Sequence, residues 1–418
     1  MTPVSVQILD VFSLRVDTDN ENIRHAALRF LTKVAEQTGI TPAVLTVTDI
    51  TLCTGDLPID EGGYSKIYVA THHGMNVALK RLHRNITFDG LKRNETLRAF
   101  CREALVWRSL QHQHVLPFLG VDHSTFPSYL CLGPPYLTNG TISKHIGRNG
   151  RRNVDLVAML IQIADGLQYL HTRQIVHGDL RAANILVDEY GGVRLADFGL
   201  STYVDATTTS SHTSGTIRWM APELHDPRAF SLNHARRTTC SDIYAFAHVC
   251  LEVYTGLRPF PKMKLDTEVL LAVVRGERPE RPWPSGKNED IIALPDWLWT
   301  LVSCCWVHKP EHRPLISDVV SWLDIRGDLS IRLSGSQQIA PEMLDTQITV
   351  CRVLQDGMVS DRSIFVDYDG SPEAPGYLNH EPSSSVYPSS TRLPSPSEST
   401  PPLFSYDVTK GKRTLLRS

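Results

Sequence analysis

The stretch His177-Gly178-Asp179-Leu180-Arg181-Ala182-Ala183-Asn184, followed further on by Asp197-Phe198-Gly199, decides how this chain is read. Between the two segments, Ile185-Leu186-Val187 and Val193-Arg194-Leu195 read as short strands, and Glu189-Tyr190-Gly191-Gly192 as the turn that folds one back on the other. The pairing predicts that Asp179, Asn184 and Asp197 meet in one cleft. Asn184 and Asp197 offer hard oxygen ligands suited to Mg²⁺, which leaves Asp179 to accept a proton from an attacking hydroxyl. Asp-Gly and His-Gly-Asp turns are common on their own, so the weight of the reading rests on what flanks them.

Working outward, Val77-Ala78-Leu79-Lys80 is an alternating strand that ends in a lysine, a cation able to hold phosphates. Phe100-Cys101-Arg102-Glu103-Ala104-Leu105-Val106-Trp107 has apolar residues at helical spacing, and Glu103 is the carboxylate expected to fix that lysine. Downstream come Ala221-Pro222-Glu223, then Asp242-Ile243-Tyr244-Ala245-Phe246-Ala247, then Lys309-Pro310-Glu311-His312-Arg313-Pro314. In this order the segments resemble the motifs of protein kinases over roughly residues 56–325. The resemblance implies an α+β, two-lobed kinase fold: a small β-rich lobe with one main helix, and a larger, mostly helical lobe. It also pairs Arg313 with Glu223 and makes the Asp242 helix the buried centre of the large lobe.

Gly215-Thr216-Ile217-Arg218-Trp219-Met220-Ala221-Pro222-Glu223 and Cys305-Trp306 look like the tyrosine-kinase-like serine/threonine group. His-Gly-Asp, together with Gly62-Gly63-Tyr64-Ser65, is similar to kinases abundant in fungi. The resemblance implies ATP and Mg²⁺ as cofactors and protein serine/threonine hydroxyls as substrates, with Asp179, Lys80, Glu103 and Arg181 as catalytic positions. It places Gly62, Gly63, Ser65, Ala78, Lys80, Pro135, Leu137, Asn184 and Asp197 around the nucleotide, with Asn184 and Asp197 on the metal. Leu180-Arg181-Ala182-Ala183-Asn184 resembles cytoplasmic tyrosine kinases instead, whereas Thr216 favours serine/threonine specificity. The alternatives are therefore a dual-specificity or tyrosine kinase, or a pseudokinase scaffold.

Three departures from the family pattern stand out. Of the three glycines of the phosphate-covering loop only the middle one is matched, at Gly62. Asp60 and Ser65 hold the flanking positions, and Asp60 is expected to bring a negative charge toward the nucleotide. Pro134 falls at the gatekeeper and Pro135 just after it, where only a carbonyl is needed for adenine, while Leu137 keeps both N–H and C=O. Gly178 replaces the arginine that usually precedes the catalytic aspartate. A phosphate on the hydroxyl-rich run Thr207-Thr208-Thr209-Ser210-Ser211 would then have one partner fewer, with Lys66 or Arg218 as substitutes.

The 418 residues, 41% apolar with net charge −3, suit a soluble chain with a large core and leave no charge footprint for nucleic acid. No apolar run approaches the ~18 residues of a membrane span, and the start lacks a signal sequence. Eight scattered cysteines without C-x-x-C spacing read as buried free thiols of a reducing compartment, which makes the expected location cytoplasmic. His112-x-His114 has no third ligand at metal-site spacing and reads as a turn, as does His72-His73-Gly74. Residues 1–55 are an extension with one helix, about Asn20 to Gln37, whose stripe is Leu28, Leu31 and Val34-Ala35. Residues 56–325 are the kinase domain. Residues 326–418 are a tail with a strand pair between Gln347 and Asp367, largely disordered from about 371, whose Ser-Pro and Thr-Pro steps offer sites for signalling partners.

Overall fold

The computed structural model describes residues 23, 26–27, 30, 33–34, 45–53, 55, 57–61, 65–82, 104–126, 131–197, 202–203, 217–283, 291–333, 404–407 and 412–415. Strands β3 (Ser65–His72) and β4 (Met75–Leu82) form the hairpin on which the small lobe is built. Its two-residue turn has His73 at φ 48° and Gly74 at φ 79°, the left-handed pair that matches strand twist. Alternation then decides the faces: Tyr68, Ala70, Val77 and Leu79 are buried in a small core with Phe126 and Cys131, and Ala78 and Lys80 turn the other way. Around the hairpin, β1 (Ile50–Leu52), β2 (Asp60–Glu61), β5 (Gly120–Asp122) and β6 (Cys131–Gly133) complete an antiparallel sheet of order β1-β3-β4-β6-β5, with β2 also on β3.

The large lobe is helical. It comprises α1 (Ile142–Asn149), α2 (Leu156–Thr172), α3 (Pro222–His225), α4 (Thr239–Thr255), α5 (Asp266–Val274), α6 (Asp296–Cys305) and α7 (Ile316–Leu333). Thr141 caps α1 by accepting the Lys144 N–H, and Asp155 caps α2 by accepting that of Ala158. Helix α4 is the axis of the lobe: every residue from Ser241 to Tyr254 is buried, so it is apolar on all sides where ordinary surface helices are amphipathic. A Thr238–Ser241 capping box starts it. Gly256 ends it at φ 69°, where a Cβ would sit 2.4 Å from the Arg151 guanidinium.

The expected Glu223–Arg313 pair is present and deeply buried. Two N–H groups of Arg313 reach the two Glu223 oxygens at 2.7 Å each, and its remaining donors go to the carbonyls of Val307, His308 and Cys240. All five guanidinium N–H groups thus lie within one cage.

Away from the kinase motifs the fold differs from the sequence reading in places. The described residues of the N-terminal helix put Ala27 and Val34 against the core and leave Ile23 and Phe30 exposed; Leu28, Leu31 and Ala35 lie outside the described residues. So does the Gln347–Asp367 segment. Phe404–Asp407 and Lys412–Leu415 pair as an antiparallel hairpin that the reading of the tail did not include, in a second unit covering Phe365–Ser418. Cys131, Cys250, Cys304 and Cys305 are buried and Cys240 is half-buried, but Cys53 is exposed. No helix among the described residues is long and apolar enough to cross a membrane.

One buried group opposes stability. His248 in α4 has neither ring nitrogen hydrogen-bonded and is enclosed by Tyr244, Phe260 and Trp306. Burial, helped by the charge of Arg278, drives its pKa down from 6.5 to about 3. The unfolded chain therefore takes up a proton below about 6.5 that the folded chain refuses. Stability is whole above that pH and falls as pH drops toward 3. Nearby Glu252 has the opposite sign, because burial raises its carboxyl from 4.5 to about 7 and the fold gains on acidification between those values. We predict that His248→Leu stabilises the fold by about 1 kcal/mol by removing unmet polar groups, which raises the thermal midpoint and flattens its decline from pH 7 to pH 5. Comparing the variant with wild type cancels Glu252. A parallel slope would refute the assignment to His248. For the Arg313 cage, Glu223→Ala is expected to lower unfolding free energy by about 3–5 kcal/mol in denaturant melts, because a buried guanidinium is left uncompensated.

Candidate active site

The catalytic stretch is held from below by one side chain. The Asp242 carboxylate, at the start of α4, accepts the backbone N–H of His177 at 2.8 Å and of Gly178 at 2.9 Å, and lies 2.9 Å from Nε2 of His171. Gly178 adopts φ 80°, a left-handed conformation that glycine takes without strain. The absent side chain at this position therefore eases the bend that presents Asp179.

Beyond the bend, Asn184 Nδ2 donates to the Asp179 carbonyl at 2.8 Å and to Asp179 Oδ2 at 2.9 Å. Arg181 Nε lies 3.6 Å from the same Oδ2. Asp179 Oδ1 is buried and accepts no hydrogen bond, so one carboxylate oxygen is fixed and the other remains for an incoming hydroxyl. Strand β7 (Ile175–Val176) leads into the catalytic stretch, and the strands read from the sequence, β8 (Ile185–Val187) and β9 (Val193–Leu195), pair antiparallel, with Asp188 Oδ1 taking the N–H groups of Tyr190 and Gly192 in the turn. That hairpin returns the chain so that the Ala196 N–H donates to the Asn184 carbonyl at 2.9 Å. Asp197 follows at φ 62°, an uncommon conformation for a residue with a Cβ. Its Oδ1 meets Lys80 Nζ at 2.6 Å.

Two lobes thus deliver their charged groups to one place. On the small-lobe side, the Ala78 N–H donates to the Pro134 carbonyl and Val77 bridges Pro135, which sets the segment after β6 against β4. Pro134 is buried, as a gatekeeper would be, and the Pro135 carbonyl accepts from none of the described backbone N–H groups. The Leu137 carbonyl accepts the Gly140 N–H at 3.1 Å, so of its two expected adenine contacts the N–H is the less committed. Ser65 opens β3 opposite Leu82. Asp60 lies 3.5 Å from Lys144 of α1, so the negative charge expected near the nucleotide faces a lysine. Gly62, Gly63, Glu103 and Thr216 lie outside the described residues.

The arrangement fits a nucleotide with a divalent cation. Lys80 supplies a phosphate-binding cation, and Asp197 with the Asn184 amide oxygen offers two hard donors, the kind of partial set that Mg²⁺ completes with phosphate oxygens and water. Among the described residues no cluster of three or more His, Cys, Asp or Glu is suited to a metal.

Three sites depart from expectation. Arg218 is no substitute phosphate partner: its guanidinium bonds Asp266 and the carbonyls of Pro259, Phe260, Met263 and Lys264. Lys66, the other candidate, pairs with Glu61 at 2.9 Å. The His112-x-His114 turn does acquire a third group in space, because Asp165 of α2 lies 3.6 and 3.7 Å from their Nε2 atoms. It is still not a metal site. His112 Nδ1 accepts the His114 backbone N–H, which puts the His112 ring proton on Nε2, facing Asp165.

Sequence reasoning missed Glu252. From α4 it takes the Ala182 N–H at 2.9 Å and the Trp219 ring N–H at 2.8 Å on one oxygen. The catalytic stretch is thereby joined to the segment before α3. Burial raises this carboxyl to about 7, while its two hydrogen bonds and Arg181 oppose the shift. A glutamate one helical face away from Asp242 carried no motif, and only its position in an otherwise apolar run marked it.

Comparison with known proteins agrees with this geometry. A family described as protein tyrosine and serine/threonine kinase matches residues 56–323. The chain belongs to this family. It is 30% identical, over 64% of its length, to a probable serine/threonine-protein kinase of Dictyostelium discoideum, of which that match covers 19%. Serine/threonine-protein kinase STY17 of Arabidopsis thaliana is 27% identical over 63% of the chain and 42% of its own length. Tyrosine-protein kinase Btk of Drosophila melanogaster is 32% identical over 51% and 26%. The matched region therefore spans less than half of each relative.

Because Asp242 holds two backbone N–H groups through two separate oxygens, Asp242→Asn leaves one of them without an acceptor. We expect about 1–3 kcal/mol of lost stability, the usual cost of an unmet buried donor. Urea melts at constant pH measure it, and an unchanged midpoint would contradict the anchoring role.

Proposed function

We propose that this chain transfers the γ-phosphate of ATP to serine or threonine hydroxyls of proteins, with Mg²⁺ in the Asn184–Asp197 notch. The observation that carries the reading is the convergence of Lys80 and Asp197 at 2.6 Å beside an Asp179 whose Oδ1 is buried and open. Lys80 orients the α- and β-phosphates, and Glu103 steadies Lys80. Ala78, Pro135 and Leu137 border the adenine, and Gly62, Gly63 and Ser65 cover the phosphates. When bound, Mg²⁺ neutralises charge on the phosphates. Asp179 aligns the substrate hydroxyl through Oδ1 and receives its proton, and Asn184 prevents the carboxylate from rotating away. Arg181 lies at the same carboxylate and supplies positive charge toward the transferring group. The free thiols support an intracellular, reducing location, and the Ser-Pro steps of the tail support signalling partners there.

Tyrosine specificity is the second reading, favoured by Leu180-Arg181-Ala182-Ala183-Asn184 and by the likeness to Btk. Thr216 and the serine/threonine-kinase relatives support the first. Incubation with labelled ATP, Mg²⁺ and a mixed protein substrate, followed by phosphoamino-acid analysis, separates the two. Phosphotyrosine alone would reject the serine/threonine reading. Asp179→Asn is expected to lower turnover by at least about a thousandfold, ~4 kcal/mol of barrier, with nucleotide affinity close to wild type. Lys80→Met is expected to lower turnover as well, by disordering the phosphates. A folded wild-type chain that binds ATP yet transfers nothing would instead be a scaffold.

A further inference from the structure

The register of the small-lobe sheet fixes where Asp60 points. Asp60 of β2 lies opposite Ile67 of β3, and Ile67 lies opposite Lys80 of β4. Residues directly opposite one another in a sheet share a face. Asp60 therefore stands in one row with Lys80, on the face turned toward the large lobe. Both ends of that row cross to it: Lys80 Nζ meets Asp197 at 2.6 Å, and Asp60 Oδ2 meets Lys144 Nζ of α1 at 3.5 Å. The next residue, Glu61, points the other way and pairs with Lys66 inside the small lobe at 2.9 Å.

Lys144 holds its place against a small cost. It lies in the first turn of α1, which contains no acidic residue, and a cation there opposes the helix dipole. Its stem packs on Gly140, with Cδ 3.5 Å from the position a Cβ would take. The Gly140 N–H donates to the Leu137 carbonyl at 3.1 Å, so the lysine rests on the turn that leaves the adenine-bordering segment. The row of Asp60, Ile67 and Lys80 and the Leu137–Gly140 turn thus face each other across the cleft, and the ion pair joins them. With 60% of the Asp60 side chain and 58% of the Lys144 side chain exposed, the pair adds little to the stability of the fold. Its leverage is on how readily the lobes part at that point.

We propose that the Asp60–Lys144 pair is a latch on the nucleotide cleft: it holds the small-lobe sheet to α1 and slows the release of bound nucleotide. The charge that this chain carries in place of a glycine then acts through its lysine partner and not directly on the phosphates. The inference rests on the proposed reading of the cleft as an ATP site.

The test measures release of a fluorescent ADP analogue with Mg²⁺ from the full chain by stopped flow at low ionic strength. Wild type is compared with Asp60→Asn, Lys144→Gln and the double exchange of Asp60→Lys with Lys144→Asp. Each single variant is expected to speed release about threefold, a change of the size an exposed ion pair supports, and the exchange to bring it back toward wild type. In about 1 M salt, where screening acts within ~3 Å, the differences should vanish. The signs distinguish a latch from two independent charges. Removing a negative charge near an anionic nucleotide slows release and removing a positive one speeds it, whereas breaking a latch speeds release in both variants. Slower or unchanged release from Asp60→Asn overturns the inference, as does unchanged release from Lys144→Gln or an exchange that restores nothing. If wild type binds the analogue while the variants behave in this way, only the inference falls. If folded wild type does not bind it, the reading of the cleft falls and the inference with it.

Discussion

The Asp242 carboxylate accepts the N–H groups of the two successive peptides that flank the His177 Cα, and it does so from the first turn of a helix buried along nearly its whole length. A carboxylate accepting backbone N–H groups in a low-dielectric interior makes strong, charge-assisted bonds. The catalytic stretch therefore moves with α4 and not with the surface. What lies downstream depends on that attachment. Gly178 bends, Asp179 faces the cleft, Asn184 locks one of its oxygens, and the β8–β9 hairpin carries Asp197 back to the same place. Glu252 repeats the device three turns along the helix for Ala182 and Trp219.

Helix α4 thus combines two roles that conflict. As the axis of the lobe it should be uniformly apolar, and mostly it is. As the base of the site it carries or adjoins Asp242, His248, Glu252 and Arg237, each of which meets burial differently. Asp242 is satisfied by donors. Glu252 is satisfied but held near neutrality. His248 is forced neutral and left without hydrogen bonds, and burial lowers the pKa of Arg237, whose Nε and Nη2 are unbonded. The ionisations of His248 and Glu252 pull stability in opposite directions below neutral pH, so their joint acid response is a difference that reveals neither one alone.

Much of this was legible in the sequence wherever a few adjacent residues suffice. The β8–β9 hairpin with its Glu189-Tyr190-Gly191-Gly192 turn, the His73-Gly74 turn and the buried Asp242 helix all follow from local pattern. Residues whose meaning depends on distant partners were not legible. Arg218 reads as a spare cation until five acceptors from 41 to 48 residues away close around it. His112 and His114 lack a third group until α2 brings Asp165 to them. The N-terminal helix buries Ala27, a residue too small to mark a hydrophobic stripe. Arg237 sits outside every motif, and nothing local distinguishes it from a solvated arginine.

The two saturated arginines bear on how the substrate side of the cleft is built. Arg313 fastens α3, through Glu223, to the carbonyls before α7, and Arg218 fastens the turn at Ile217–Trp219 to α5 and the loop ahead of it. Trp219 then joins that turn to Glu252, and so to Ala182 of the catalytic stretch. The turn that leads into Ala221-Pro222-Glu223 is therefore clamped on three sides by buried, geometrically demanding bonds. On the proposed reading, a protein hydroxyl would enter beside this fixed turn, which Glu252 ties to the stretch carrying Asp179. Proton acceptance needs separations of about 2.6–3.2 Å, and a rigid wall can set that distance where a mobile loop cannot. The groups that touch the Asp179 carboxylate itself, Asn184 and Arg181, come from the catalytic stretch and not from this clamped turn.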